Sequence, residues 1–154
     1  LDLKSKNKLP NRIIHADPKI SNILFDEQEN PISIIDLDTV MQEGILYDFG
    51  DMIRSYTNKT TEDNIDNCDN FSPEIYDAVK KGFLFHLENQ LTKTEIENLD
   101  YAAQLIIYIQ AVRFLTDYLN GDIYYQITHS KQNLDRAKNQ INLLKGLMSM
   151  LSKL

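Results

Sequence analysis

At Leu46 the hydrophobic pattern of this chain changes, and that change limits the fold more than any other feature. Before it, apolar residues come in short β-branched runs bounded by turn-rich segments: "RIIH" at 12–15, "NILF" at 22–25 and "ISIIDL" at 32–37. Such runs read as strands. After Leu46 the apolar residues recur at helical spacing. Strands in one block and helices in another give an α+β fold that is mostly helical. The charged "DEQENP" before the third run ends in Pro31, so the second and third runs should close as a hairpin with an exposed loop. That pairing brings Asn22 and Asp36 toward the same end of the ribbon.

The helical block carries its own punctuation. "SPEIYDAVKKGFLFHLENQL" opens with Ser72 as N-cap and Pro73 at the first helical position. Thr92, three residues before Glu95, has the spacing of a capping box, and Gly121 is a suitable stop for one helix over the intervening segment. The last segment places Leu134, Ala137, Ile141, Leu144, Met148 and Leu151 at steps of three and four, an apolar helical stripe in which Met148 and Met150 are core filler. The polar stretch at 58–70 reads as a mobile loop.

Composition narrows the class. A chain of 154 residues that is 42% hydrophobic fits one compact domain. Its net charge of −7 argues against a nucleic-acid partner, since such binding draws on neutralised phosphates. The short basic stretch from residue 129 onward reads as a solvated helix face. Cys68 is the only cysteine, which rules out an internal disulfide and suits a reducing, cytoplasmic setting. No apolar run is long enough for a membrane helix and no signal-like segment opens the chain, so no membrane partner is expected.

The chemistry concentrates in "HADPKISN", 15–22. Pro18 disfavours a regular helix through Asp17, and a turn there lets Asp17 and Asn22 face one cleft. Asp36 ends the hairpin, and Asp38 lies two residues on, on the same side if the chain stays extended. Carboxylates gathered with an amide oxygen repel one another unless a cation sits among them. Magnesium, bound through one or two carboxylates and substrate phosphates, suits that set.

These residues carry a family resemblance. "HADPKISN" resembles the His-x-Asp-x4-Asn catalytic loop of the protein-kinase-like superfamily, and "IIDLD" resembles its metal-binding aspartate. The chain is more similar still to aminoglycoside phosphotransferase and choline kinase relatives, and "IIDLDTVM" followed by "LYDFGDMIR" resembles the N-acetylhexosamine 1-kinases. The resemblance implies Asp17 as catalytic aspartate, Lys19 as the loop lysine near the transferred phosphoryl group, and Asn22 and Asp36 as magnesium ligands. Asp38 stands where many kinases have glycine and is either a further metal ligand or a polar neighbour. Asp48 falls too late to bind metal and corresponds to a residue that braces the catalytic loop, while His15 belongs to the scaffold. "AVRFLTDYLNGDIYY" is similar to the sugar-facing stretch of the hexosamine kinases and nominates Arg113 and Tyr124, although Arg113 could equally pair with Asp117 one turn away. His86 and His129 lack a second ligand at metal spacing and read as ordinary residues.

The resemblance therefore implies residues 1–45 as catalytic-loop and metal-binding hairpin segment and residues 46–154 as the helical, substrate-binding part of one C-terminal lobe. Neither a Gly-rich phosphate loop nor a strand lysine with its helix glutamate is present in the sequence, so the N-terminal nucleotide lobe is expected to be absent. The implied activity is phosphorylation of a sugar hydroxyl, the anomeric one of an N-acetylhexosamine, with ATP as co-substrate and Mg2+ as cofactor. Rivals are an aminoglycoside, choline or homoserine kinase, and an isolated lobe without catalysis. An apolar face left bare by the missing lobe would favour dimers.

Overall fold

The computed structural model describes residues 9–66 and 69–153. Four short strands come first: β1 (Arg12–Ile14), β2 (Ile23–Phe25), β3 (Pro31–Ile34) and β4 (Met41–Glu43). Five helices follow: α1 (Leu46–Tyr56), α2 (Pro73–Leu87), α3 (Lys93–Glu97), α4 (Leu99–Leu119) and α5 (Gln132–Leu151). The expected α+β, mostly helical architecture is what is seen.

β2 and β3 pair antiparallel with Ile23 opposite Ile34, and the register shifts at Leu24–Phe25. The intervening loop is held by Asp26 Oδ1, which accepts the backbone N–H groups of Gln28 and Asn30. β4 pairs with β1, Ile14 against Met41. This pairing was not apparent in the sequence, and it closes residues 15–40 into an excursion whose base is fixed by two strands. The β2–β3 ribbon is not buried as its apolar text suggests. Every residue of β3 is exposed, because the ribbon has only two strands and no layer formed by the described residues covers its apolar side chains.

The helices supply the core. Phe49 and Ile53 of α1 pack with Tyr76 and Phe83 of α2, with Leu99, Ala103 and Ile107 of α4, and with Leu143 and Leu147 of α5. Gly50 allows α1 to approach α4 closely: a Cβ there would lie 2.5 Å from Ile106 Cγ1 and 2.9 Å from the Ala102 carbonyl oxygen. Ser72 caps α2 as expected, accepting the Ile75 N–H, with Pro73 following it. Thr92 and Glu95 form the reciprocal capping box.

Two helical expectations need correction. The helix from Thr92 breaks at Asn98, whose side-chain Nδ2 donates to the Thr94 carbonyl at 2.8 Å. That carbonyl is the acceptor Asn98's own backbone N–H would use in a continuous helix. On α5 the buried face runs through Asn133, Ala137, Gln140, Leu143 and Leu147, so Met148 is exposed while Met150 packs against the core. Asn133 on that face is committed by hydrogen bonds to Asp117 and Asp122, which hydropathy alone does not reveal, whereas the buried Gln140 amide has no partner among the described residues. The 58–70 segment is irregular, as expected, but its described part is tied down: buried Asn139 of α5 donates to Thr60 Oγ1 and to the carbonyls of Thr61 and Asn64. Cys68 lies outside the described residues. No described helix is long and apolar enough to cross a membrane.

Candidate active site

The excursion that leaves β1 is shaped by a helix. Asp48, in the first turn of α1, accepts the backbone N–H of His15 through Oδ2 and of Ala16 through Oδ1, each at 2.8 Å. Ala16 has a left-handed φ of 67°, which costs a residue with a Cβ about 1 kcal/mol and is held in place by this fork. Burial pushes the Asp48 carboxyl up, against the two N–H bonds that pull it down.

His15 ties the excursion to the hairpin. Its Nδ1 accepts the Asp17 N–H at 3.3 Å, so its Nε2 carries the proton and donates to the Ile35 carbonyl at 3.1 Å. The Thr39 hydroxyl donates to the His15 carbonyl. Ile35 in turn donates its N–H to the Asn22 carbonyl, which puts Asn22 and Asp36 at one end of the ribbon.

Asp17 is the centre of the polar cluster. Lys19 Nζ donates to its Oδ2 at 2.6 Å, and Asn22 Nδ2 donates to the same oxygen at 3.1 Å and to the Asp17 carbonyl at 2.9 Å. Oδ1 accepts from no described group and remains available to a ligand. Asn22 is buried, yet its Oδ1 accepts from no described group either, because both bonds use its Nδ2.

The expected convergence of three carboxylates does not occur. Among the described residues no group of three or more His, Cys, Asp or Glu is spaced to hold a metal ion. Asp36 adopts a left-handed φ of 64°, and Leu37–Thr39 form a 3-10 turn, so the extended backbone that would set Asp38 beside Asp36 ends at Asp36. Both side chains are exposed. What remains for a hard cation is the pair Asn22 Oδ1 and Asp36, an all-oxygen set of the size magnesium takes when phosphates complete its shell.

A cleft of about 1050 Å³ joins this loop to the helices. It is lined by Asp17 and Lys19 and also by Arg113 and Tyr124, so residues nominated from opposite ends of the chain border one space. Arg113 lies over the rings of Tyr124 and Tyr125, 5.9 and 5.8 Å from their centroids, and donates to Gln110 Oε1. It does not pair with Asp117. That carboxylate accepts the backbone N–H groups of Ile123, Tyr124 and Tyr125 and the Asn133 amide. Those bonds, the Tyr125 N–H foremost, hold it below the ordinary carboxylate range.

Several lining residues escaped the sequence reading. Tyr47, Asp51 and Arg54 line the cleft from α1, spaced by four and three as one helical face requires. Arg54 pairs with Asp51 at 2.6 Å and with Glu62 at 2.7 Å. Burial pushes the Tyr47 phenol up; Asp51 and Asp17 push the same way, while Arg113 and Arg54 oppose them. Tyr47 thus feels both ends of the cleft. Gln110, Tyr125 and Arg136 complete the far wall. The polar faces of α1 and α5 were the available signal. His86 and His129 stand apart, one against Phe85 and the other beside its own loop backbone.

Comparison with known families agrees with this arrangement. Residues 1–89, more than half of the chain, match the family model described as the phosphotransferase enzyme family, and the match takes in the Asp17 loop, the ribbon and α1. The kinase-like loop braced by a helix carboxylate and the matched span lead to one conclusion: the chain belongs to the phosphotransferase enzyme family.

Proposed function

We propose that the protein works as an ATP-dependent small-molecule kinase, transferring a phosphoryl group to a sugar hydroxyl, the anomeric hydroxyl of an N-acetylhexosamine. One observation carries the reading: Asp17 borders the same cleft as Arg113 and Tyr124 and keeps one carboxylate oxygen unpaired. Lys19 and Asn22 bind Oδ2 and fix the carboxylate's orientation. Oδ1 then accepts the acceptor's hydroxyl proton as the oxygen attacks phosphorus, the task of a carboxylate within hydrogen-bond reach of a nucleophile.

Magnesium, when bound, neutralises charge on the nucleotide phosphates. Asn22 Oδ1 and Asp36 are the residues that would hold it. In this reading Asp48 and His15 position the loop, Asp38 remains a polar neighbour, and the stacked Arg113 and Tyr124 orient the sugar. The nucleotide's other contacts come from a lobe beyond residues 1–154, which supply no glycine-rich phosphate loop. The exposed apolar side chains of the ribbon, such as Phe25 and Ile32, are suited to meet that lobe, or a second copy in its absence.

The test is phosphoryl transfer from labelled ATP by the full-length protein, with magnesium, across N-acetylhexosamines, choline, homoserine and an aminoglycoside. Turnover restricted to the sugars supports the proposal. Turnover of Asp17→Asn at the native rate removes Asp17 from the mechanism, whereas a loss of about 1000-fold or more with unchanged nucleotide binding supports it.

A further inference from the structure

The chain has four arginines, and they divide into two classes. Arg12 pairs with Glu95, and Arg54 with Asp51 and Glu62. Arg113 and Arg136 form no ion pair with any described carboxylate, and both line the cleft that holds Asp17.

Each is held in position without being neutralised. Arg113 stacks on Tyr124 and Tyr125 and spends one N–H on the neutral Gln110 amide. Arg136 lies 5.6 Å from the Phe114 ring centroid and spends Nη1 on the Gln126 carbonyl and on Asn133 Oδ1, while its Nε is buried with no partner. Phe114 and Tyr125 are themselves in contact, 4.8 Å between centroids, so the two guanidinium groups flank one aromatic pair. The neighbouring carboxylates are otherwise engaged. Asp117 serves the 123–125 backbone and Asn133, Asp122 accepts from Asn133, and Asp63 accepts from Gln132.

Arg113, which spends only Nη1, keeps its Nε–Nη2 edge open, a fork whose geometry matches carboxylate and phosphate oxygens, and Arg136 keeps Nη2 as a further charged donor. Both guanidinium groups line the cleft without an ion pair, although Asp17, Glu43, Asp51 and Glu62 line it as well. An anionic ligand supplies the partner they lack, a neutral sugar does not, and a cationic acceptor would meet their repulsion. We propose that the acceptor is an acidic sugar, carrying a carboxylate or a phosphate away from the hydroxyl that is phosphorylated, and that Arg113 and Arg136 bind this anion. The inference rests on the small-molecule kinase reading and specifies its substrate class.

Calorimetric titration of the full-length protein tests it with three probes: N-acetylglucosamine, N-acetylglucosamine 6-phosphate and glucuronate. At least one acidic sugar should bind about tenfold more tightly than the neutral one at low salt, with the advantage shrinking as salt rises. Arg113→Gln and Arg136→Gln should each remove most of that advantage, and Arg136→Lys, which keeps the charge but not the guanidinium's placement against Phe114, should retain part of it. Equal binding of all three probes overturns the proposal, as does a preference that survives in both folded glutamine variants. Which acidic sugar wins assigns the anion as phosphate or carboxylate. Labelled-ATP turnover, measured alongside, separates the two readings. Preferential binding without any turnover sustains the anion site and rejects the kinase. Turnover without preference does the reverse.

Discussion

Asp48 and Ala16 are joined by a 2.8 Å hydrogen bond from the Ala16 N–H to Asp48 Oδ1, and the next residue after Ala16 is Asp17. With the matching bond from His15, one carboxylate on α1 sets the direction in which the loop enters the cleft. Asp48→Asn replaces one of the two acceptor oxygens with a donor, leaving a partly buried N–H unpaired beside a left-handed alanine. The expected cost is about 1–3 kcal/mol of stability, seen in urea unfolding, together with a large fall in turnover at saturating substrate. Unchanged turnover in a folded Asp48→Asn protein would show that the loop holds itself.

Gly50 makes a separate prediction about the same helix. A methyl at that position meets Ile106 Cγ1 at 2.5 Å and the Ala102 carbonyl at 2.9 Å, and a carbonyl in a helix cannot swing aside as a side-chain end can. Gly50→Ala should therefore push α1 from α4 and cost roughly 1–3 kcal/mol despite alanine's better helix propensity. Asp48 and Asp51 flank Gly50, so thermal unfolding and turnover should fall together. A stabilised Gly50→Ala protein would mean that the two helices separate freely.

The acid limb of stability should report on Glu95. Burial raises this carboxyl, but the Arg12 guanidinium and the Thr92 N–H and hydroxyl outweigh it and leave Glu95 below its ordinary value of 4.5. The unfolded chain thus binds this proton more readily than the folded one. The resulting stabilisation is fully present above about 4.5 and is lost as pH falls through the lower, folded value. Glu95→Gln should cost roughly 2 kcal/mol near neutrality, discounted because Arg12 is partly exposed. It should also flatten the loss of stability on acidification. A variant with the same steep acid limb would place the lability on other carboxylates.

How much of this was readable in the sequence depended on whether the signal was local. Ser72 with Pro73, and Thr92 with Glu95, are contacts between residues within three positions, and they formed as their spacing indicates. The hairpin followed from its turn text. The pairing of β1 with β4 joins three-residue strands across almost thirty positions, too short to stand out as a pattern. The placement of Asp38 failed because a single left-handed residue, Asp36, ends the strand. A non-glycine residue at positive φ leaves no reliable mark in the text. The far wall of the cleft was half legible. Arg113 and Tyr124 came from resemblance, but Arg136 lies on a helix whose apolar stripe drew the reading, and its significance depends on Phe114 and Gln126 from other segments.

Asp117 supports that wall without facing a ligand. It accepts three successive backbone N–H groups, of Ile123, Tyr124 and Tyr125, at 2.8–3.0 Å, and so fixes the turn that presents both tyrosines to Arg113. Its carboxyl lies below the ordinary range, so the arrangement persists as pH falls and fails only below about 4, the reverse of what a carboxyl raised by burial would show. Asp117→Asn offers a single acceptor oxygen where two are used and turns an N–H donor toward the backbone donors. The tyrosines should then lose their fixed position while Asp17 keeps its own. The expected signature is a KM for the acceptor raised about tenfold with kcat changed far less, since uniform binding is what is lost. Steady-state kinetics against acceptor concentration separate the two parameters. An equal fall in kcat would mean that the aromatic wall acts in the transition state, and that the sugar is held for reaction as well as for binding.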